Sequence, residues 1–276
     1  MTVADHPLTG LGYTEPASVY PMSRLMGSDE TSESAAVAEE VPIAFVYNGR
    51  PYVVVMGTPA DLEDLAVGFS LTEGVIRAEH SLRRVDIVRA SHGIEVQIEL
   101  PSADAARLEE RSRGIVSRTG CGLCGVESIN DVLRMPAKVG HALGLSREAM
   151  WSALDALGHQ QTLNSQTNTA HAAGWATPDG LLHVVREDVG RHNALDKVLG
   201  ALARRGTRAA DGFIVVTSRA SYEMVQKAAL CGVELVAAIS RPTGLAIRFA
   251  QAADVTLVGL LRGRTANVYC GMERIH

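Results

Sequence analysis

Three short apolar runs in the last third of the chain, Phe213 to Thr217, Leu235 to Ile239 and Val255 to Leu260, begin 22 and then 20 residues apart. Helical stripes fill the gaps, over Tyr222 to Cys231 and Leu245 to Ala253. Strand–helix units of this length build a parallel sheet with right-handed crossovers and helices on its faces. Upstream, Ser146 can cap a helix running to about Leu157. Strands Ala172 to Ala176 and Leu181 to Val185 follow, then a helix from Arg191 to Arg204. The region 146–276 therefore reads as an α/β domain.

The first half has a different rhythm. Residues 1–40 are rich in Ser, Thr, Pro and acids with little hydrophobic period, which predicts a flexible arm. Ile43 to Tyr47, then Asn48-Gly49, then Tyr52 to Met56 predicts a hairpin. Thr58-Pro59 resembles a helix start, with an apolar stripe from Leu62 to Ile76. Two strands, Arg84 to Arg89 and Ile94 to Leu100, and a helix over Ala103 to Arg111 complete a smaller α+β domain, 41–116. Residues 117–145 form a cysteine-bearing loop and linker, and the whole is α+β at the coarsest level.

The formal charge of −5 gives no basic field for nucleic acid. The longest apolar runs fall far short of a membrane span, and no signal peptide is visible at the N-terminus. Four cysteines in 276 residues make no disulfide framework. A soluble cytoplasmic protein is the expectation.

Ligands in open α/β sheets bind beyond the carboxyl ends of the strands. Each of the last three strands runs into arginine there: Thr217-Ser218-Arg219, Ser240-Arg241-Pro242-Thr243 and Arg262-Gly263-Arg264. After the first two a helix follows at once, and its free N–H groups favour an anion. Single arginines are commonly solvated or capping; Arg219, Ser240, Thr243, Arg262 and Arg264 converging on one edge predict an anionic, phosphate-bearing ligand. The run Arg186-Glu187-Asp188-Val189-Gly190-Arg191-His192-Asn193, with Asp196-Lys197 a turn later, is the densest polar stretch. Asp188 could cap the helix and Glu187 could pair with Arg191. The alternative is that Arg191 and His192 serve the ligand at the same edge, with His192 and Asp196 on one helix face.

Thr119-Gly120-Cys121-Gly122-Leu123-Cys124-Gly125 pairs two thiols among glycines, with Arg111, Arg113 and Arg118 before it. Such a pair binds a metal, cycles a disulfide or carries sulfur. Structural zinc needs four ligands, and no second pair is present; a thioredoxin-like dithiol opens a helix after a strand, and Gly125 follows here at once. Nearby positive charge favours the thiolate. A carrier needs no metal of its own.

Several long motifs in order resemble the FdhD family, the formate dehydrogenase accessory sulfurtransferases. They are Leu65 to Gly74, Ser117 to Gly125, Arg186 to Lys197, Thr217 to Lys227, Pro242 to Ile247 and the Leu260 to Tyr269 tail. The resemblance implies a sulfur carrier between a cysteine desulfurase and the molybdenum bis(guanine dinucleotide) cofactor of formate dehydrogenase. Cys121 would carry the persulfide, with Cys124 its partner or alternate. Gly259, Leu260, Leu261, Arg262, Gly263 and Arg264 match the family's cofactor-contacting segment, and a homodimer is implied. The resemblance also implies a cytidine-deaminase-like C-terminal domain. The deaminase zinc motifs are missing: the two helix starts read Arg191-His192-Asn193-Ala194 and Ser218-Arg219-Ala220-Ser221. The chain departs from the family pattern at Arg241 and in Asn168 to His171, so His171 is given no role. The rival is a binding chaperone that holds the cofactor without sulfur chemistry; a third reading is a disulfide oxidoreductase.

Overall fold

A computed structural model of the chain describes residues 8–77, 82–105, 108 and 137–276. Cys121 and Cys124, with the rest of 109–136, lie outside the described residues. The first two strands depart from expectation. Residues 17–38 are not an arm but a two-stranded antiparallel ribbon, β1 (Ala17–Met26) and β2 (Asp29–Ala38), paired from Ala17–Ala38 to Met26–Asp29. Its small and polar residues gave no periodic signal because most of the ribbon faces solvent. Its base is held where the Ala38 N–H donates to Thr169 Oγ1 and Tyr20 Oη to Glu39 Oε1.

Next come β3 (Val41–Tyr47), β4 (Arg50–Gly57), α1 (Leu62–Thr72), β5 (Arg84–Ala90) and β6 (Gly93–Glu99). The sheet order is β4-β3-β6-β5, with β3 and β6 parallel across α1. Asn48 and Gly49 both take positive φ, as the predicted tight turn demands. Ile43, Phe45, Ile94, Val96 and Ile98 point inward against Leu65 and Phe69 of α1. Thr58-Pro59 does not open the helix. Asp61 precedes α1 in the left-handed region, and α1 ends at Thr72, so Val75 and Ile76 are buried in the turn beyond it.

The C-terminal domain comprises α2 (Arg147–Gln160), α3 (Thr162–Thr167), β7 (His171–Ala176), β8 (Leu182–Asp188), α4 (Arg191–Arg204), β9 (Phe213–Val216), α5 (Tyr222–Leu230), β10 (Leu235–Ala238), α6 (Gly244–Ala253), β11 (Thr256–Arg262) and β12 (Thr265–Cys270). The six-stranded order is β12-β11-β10-β9-β7-β8, with β9, β10 and β11 parallel as the 20–22-residue rhythm requires. β12 was not anticipated; it returns antiparallel to β11 through Gly263. Both faces of β9 are buried, Ile214 and Val216 beneath α4–α6 and Phe213 and Val215 beneath α2. The Ser146 hydroxyl caps α2 as expected, accepting from the Ala149 N–H.

The two sheets are locked by α1 against α4. Gly68 and Gly200 meet there, and a Cβ on either would overlap a main-chain carbonyl of the other helix. Polar groups flank the crossing. Asp64 accepts from Arg186 (2.7 Å) and pairs with Arg204, and Thr72 donates to Asp196 (2.8 Å), which also pairs with Lys227 (2.9 Å).

Residues 139–143 lie beside the amino ends of β10 and β11. There the Val139 N–H donates to the Ala253 carbonyl. Glu234 accepts from the Leu143 N–H (2.9 Å), and Arg274 donates to the Gly140 carbonyl (2.8 Å) and to Glu234 (3.3 Å).

Candidate functional site

At the opposite, carboxyl edge the starts of α4 and α5 meet the ends of β8 and β9. Asp188, the last residue of β8, is fully buried and organises this corner. Its Oδ2 accepts from the Thr58 N–H (3.1 Å) and pairs with Lys197 Nζ (2.7 Å); its Oδ1 accepts from Gly190 N–H (2.7 Å) and Asn193 Nδ2 (3.0 Å). Lys197, also fully buried, donates to the carbonyls of Thr58 (3.2 Å) and Glu187 (3.3 Å). A buried carboxylate needs this density of donors to remain charged. Thr58 is thus spent on the junction between domains.

The densest polar run therefore divides. Arg186, Asp188, Asn193, Asp196 and Lys197 face inward and hold the domains together. Glu187 does not pair with Arg191; its carboxylate accepts from the Leu163 and Asn164 N–H groups (both 2.8 Å) at the start of α3. His192 and Asp196 part company too. Asp196 is buried against Lys227, whereas His192 Nε2 stands 2.9 Å from Glu223 Oε2, at ion-pair distance but without hydrogen-bond alignment.

What remains at the surface of this edge is a cationic group. The fold brings Arg191, His192 and Arg219 around His171, the first residue of β7, which is paired in register with Asp188. Burial pushes the His171 imidazole below its ordinary value of 6.5; Arg191, His192 and Arg219 push the same way, against the pull of Asp188. Arg191 Nε and Ser221 Oγ are buried with no hydrogen-bond partner among the described residues. Both stand where helix dipoles begin, which favours negative charge there. His171, Ser221 and Glu223 were not anticipated. The alternation that puts His171 at the strand's carboxyl-edge end was available, but nothing local marks it as facing Arg191.

The other predicted residues lie further along the edge. β11 carries a bulge between Gly259 and Arg262, and Leu260 sits at φ 51, a region leucine rarely enters. A Cβ on Gly259 would come 2.7 Å from Pro242 Cδ, so the glycine lets β11 pass under the 240–242 turn, where Leu260 N–H donates to the Ser240 carbonyl (3.2 Å). Thr243 caps α6, accepting from the Ala246 N–H (3.2 Å). Arg262 Nε donates to the Ile239 carbonyl (3.2 Å), and the Arg264 guanidinium lies 5.2 Å above the Trp151 ring of α2. The expected single cluster is thus two: Arg191, His192 and Arg219 on the α4–α5 face, Arg262 and Arg264 on the α2 face.

Cys231 follows the last residue of α5 as its C-cap, and burial pushes its thiol up to about 12. Burial raises Cys270 as well, and its Sγ–H donates to the Val255 carbonyl (3.2 Å). Neither is a ready nucleophile at neutral pH. Among the described residues no helix is long and apolar enough to cross a membrane.

The FdhD/NarQ family model matches residues 38–276. The chain is 49% identical over 257 residues to the sulfur carrier protein FdhD of Xanthomonas campestris, covering 93% of this chain and 92% of that one. It is 48% identical over 244 residues to that of Bordetella petrii, covering 88% of each. A crystal structure assigned as a formate dehydrogenase accessory protein from Desulfotalea psychrophila superposes with a TM-score of 0.76 at 25% identity, covering 94% of this chain and 99% of that one. The mixed α/β architecture is therefore shared with a solved relative, and the chain belongs to the FdhD/NarQ family.

Proposed function

We propose that this chain is a sulfur carrier for a formate dehydrogenase, taking sulfur from a cysteine desulfurase as a persulfide on Cys121 and delivering it to a molybdenum bis(guanine dinucleotide) cofactor held as cargo. Attack of the Cys121 thiolate on the outer sulfur of the donor's persulfide forms the new S–S bond and releases the donor thiolate, so electrons balance. Cys124 is the partner or alternate thiol. The cargo's phosphates would be met by Arg191, His192 and Arg219, and by Arg262 and Arg264 beyond the β11 bulge.

The observation that carries this reading is the cationic corner around His171, with unpartnered Arg191 Nε and Ser221 Oγ at two helix starts. The names of the relatives agree with it, as do the raised thiols of Cys231 and Cys270, which favour the loop pair by contrast. A homodimer in the cytoplasm is the form proposed. The deciding experiment is mass spectrometry of the full chain after incubation with a desulfurase and cysteine, alongside complementation of formate dehydrogenase activity. An adduct of about +32 Da on Cys121, lost with activity in Cys121→Ala, supports the reading. Full complementation by both Cys121→Ala and Cys124→Ala would instead leave a cofactor-holding chaperone.

A further inference from the structure

The β1–β2 ribbon carries more at its outer end than its own pairing requires. Every residue from Ser23 to Ser34 is exposed, and among the described residues the two strands pair only with each other. Leu25 and Met26, next to the turn, are 73% and 55% exposed. Their cross-strand neighbours are Glu30 and Asp29, so each face of the tip shows one apolar side chain beside one carboxylate. A two-stranded ribbon is marginally stable in water, and adjacent exposed apolar groups at its end suit a partner that covers them. Charge is concentrated in the same segment. Residues 15–40 hold Glu15, Asp29, Glu30, Glu33, Glu39 and Glu40 against Arg24 alone, a formal −5; the whole chain also carries −5, so the remainder is neutral in sum. Arg24 is already paired with Glu33 (3.2 Å).

The ribbon is rooted at the edge that carries the cationic corner. β2 packs on α3, whose first N–H groups are held by Glu187. The Ala38 N–H donates to Thr169 Oγ1 (3.3 Å), two residues before His171. Carboxylates repel an anionic cargo, so the ribbon is no part of the cargo's seat. A protein that accepts such a cargo must itself present cations around its opening, and those cations complement the ribbon. We propose that the ribbon tip docks on the receiving enzyme, a formate dehydrogenase lacking its cofactor. Leu25 and Met26 enter an apolar notch there, and Asp29, Glu30 and Glu33 meet the cationic rim of the cofactor opening. Docking on that enzyme rests on the carrier reading above and adds the surface through which the recipient of the cargo is met.

The test is the affinity of the full chain for purified, cofactor-free formate dehydrogenase, measured by biolayer interferometry beside three variants. Leu25→Ser/Met26→Ser and Asp29→Asn/Glu30→Gln/Glu33→Gln should each weaken binding about tenfold, and Asp29→Lys/Glu30→Lys/Glu33→Lys should weaken it further still. All five side chains are exposed, so the persulfide yield on Cys121 should be unchanged in every variant. That yield judges the carrier reading separately. Full yield with wild-type affinity for the apoenzyme in all three variants overturns the docking assignment alone, as does a wild-type chain that takes up sulfur but does not bind the apoenzyme. Loss of self-association by light scattering in Leu25→Ser/Met26→Ser, with apoenzyme affinity intact, gives the ribbon to a second copy of this chain and overturns the assignment as well.

Discussion

Gly68 of α1 and Gly200 of α4 sit at a crossing where each helix occupies the space a side chain would need on the other: a Cβ on Gly68 would overlap the Asp196 carbonyl, and one on Gly200 the Asp64 carbonyl. Backbone cannot yield as a flexible side chain does. Gly68→Ala or Gly200→Ala is therefore expected to destabilise the chain by more than about 2 kcal/mol in urea unfolding. Gly158→Ala supplies the control. It lies inside α2 in open space and should stabilise by up to about 1 kcal/mol. Equal effects at the three positions would contradict the close crossing.

The Asp188–Lys197 pair makes a second prediction. Lys197→Met leaves a fully buried carboxylate without its counter-charge and should cost about 3 kcal/mol. Adding Asp188→Asn to it removes the stranded charge and should recover part of the loss. Additive damage in the double variant would show that the two residues do not compensate one another.

His171 should make anion binding at the proposed site pH-dependent. Its folded value lies below 6.5, so the free protein resists protonating it, and this residue withdraws stability as pH falls below 6.5. An anion among Arg191, His192 and Arg219 offsets their repulsion and raises that value. Sulfate, which holds its charge in this range, should therefore bind more tightly as pH falls below 6.5, with net proton uptake measurable by calorimetry in buffers of different ionisation enthalpy. His171→Ala should flatten the profile. Proton release on binding would overturn the assignment.

Thiol chemistry gives a fourth prediction. With Cys231 pushed up to about 12 and Cys270 raised, both should react slowly with iodoacetamide near neutral pH. The double variant Cys231→Ser/Cys270→Ser should keep the full persulfide yield. Rapid labelling of either one by peptide mapping would count against the loop pair as the carrier.

The parallel strands were legible because both their faces are buried: Phe213 to Val216 reads as an unbroken apolar run. The β1–β2 ribbon was not, because its strands bury little and carry no alternation. β12 was hidden in the same way, as a half-exposed edge strand of mixed composition. Helix α1 began later than expected because Thr58 offers the same hydroxyl to a neighbouring segment as to a cap, and only the tertiary fold shows that Val189 takes it. At the site, arginines at strand ends were visible in the sequence. Their division between two faces was not, because that depends on the bulge at Leu260. Whether the acids and the lysine of the polar run turn inward or outward depends on α1 packing against α4, a contact that joins residues more than a hundred positions apart.

The bend in β11 at Leu260 goes with the passage of Gly259 under the 240–242 turn, and the helix starts carrying Arg191 and Arg219 belong to helices packed in the same core. An edge fixed by a packed core has little to reorganise on encounter. Capture of an anionic cargo should then be limited by collision, with association accelerated by long-range attraction and slowed as added salt screens it. Dissociation, set by short-range contacts, should respond much less to ionic strength.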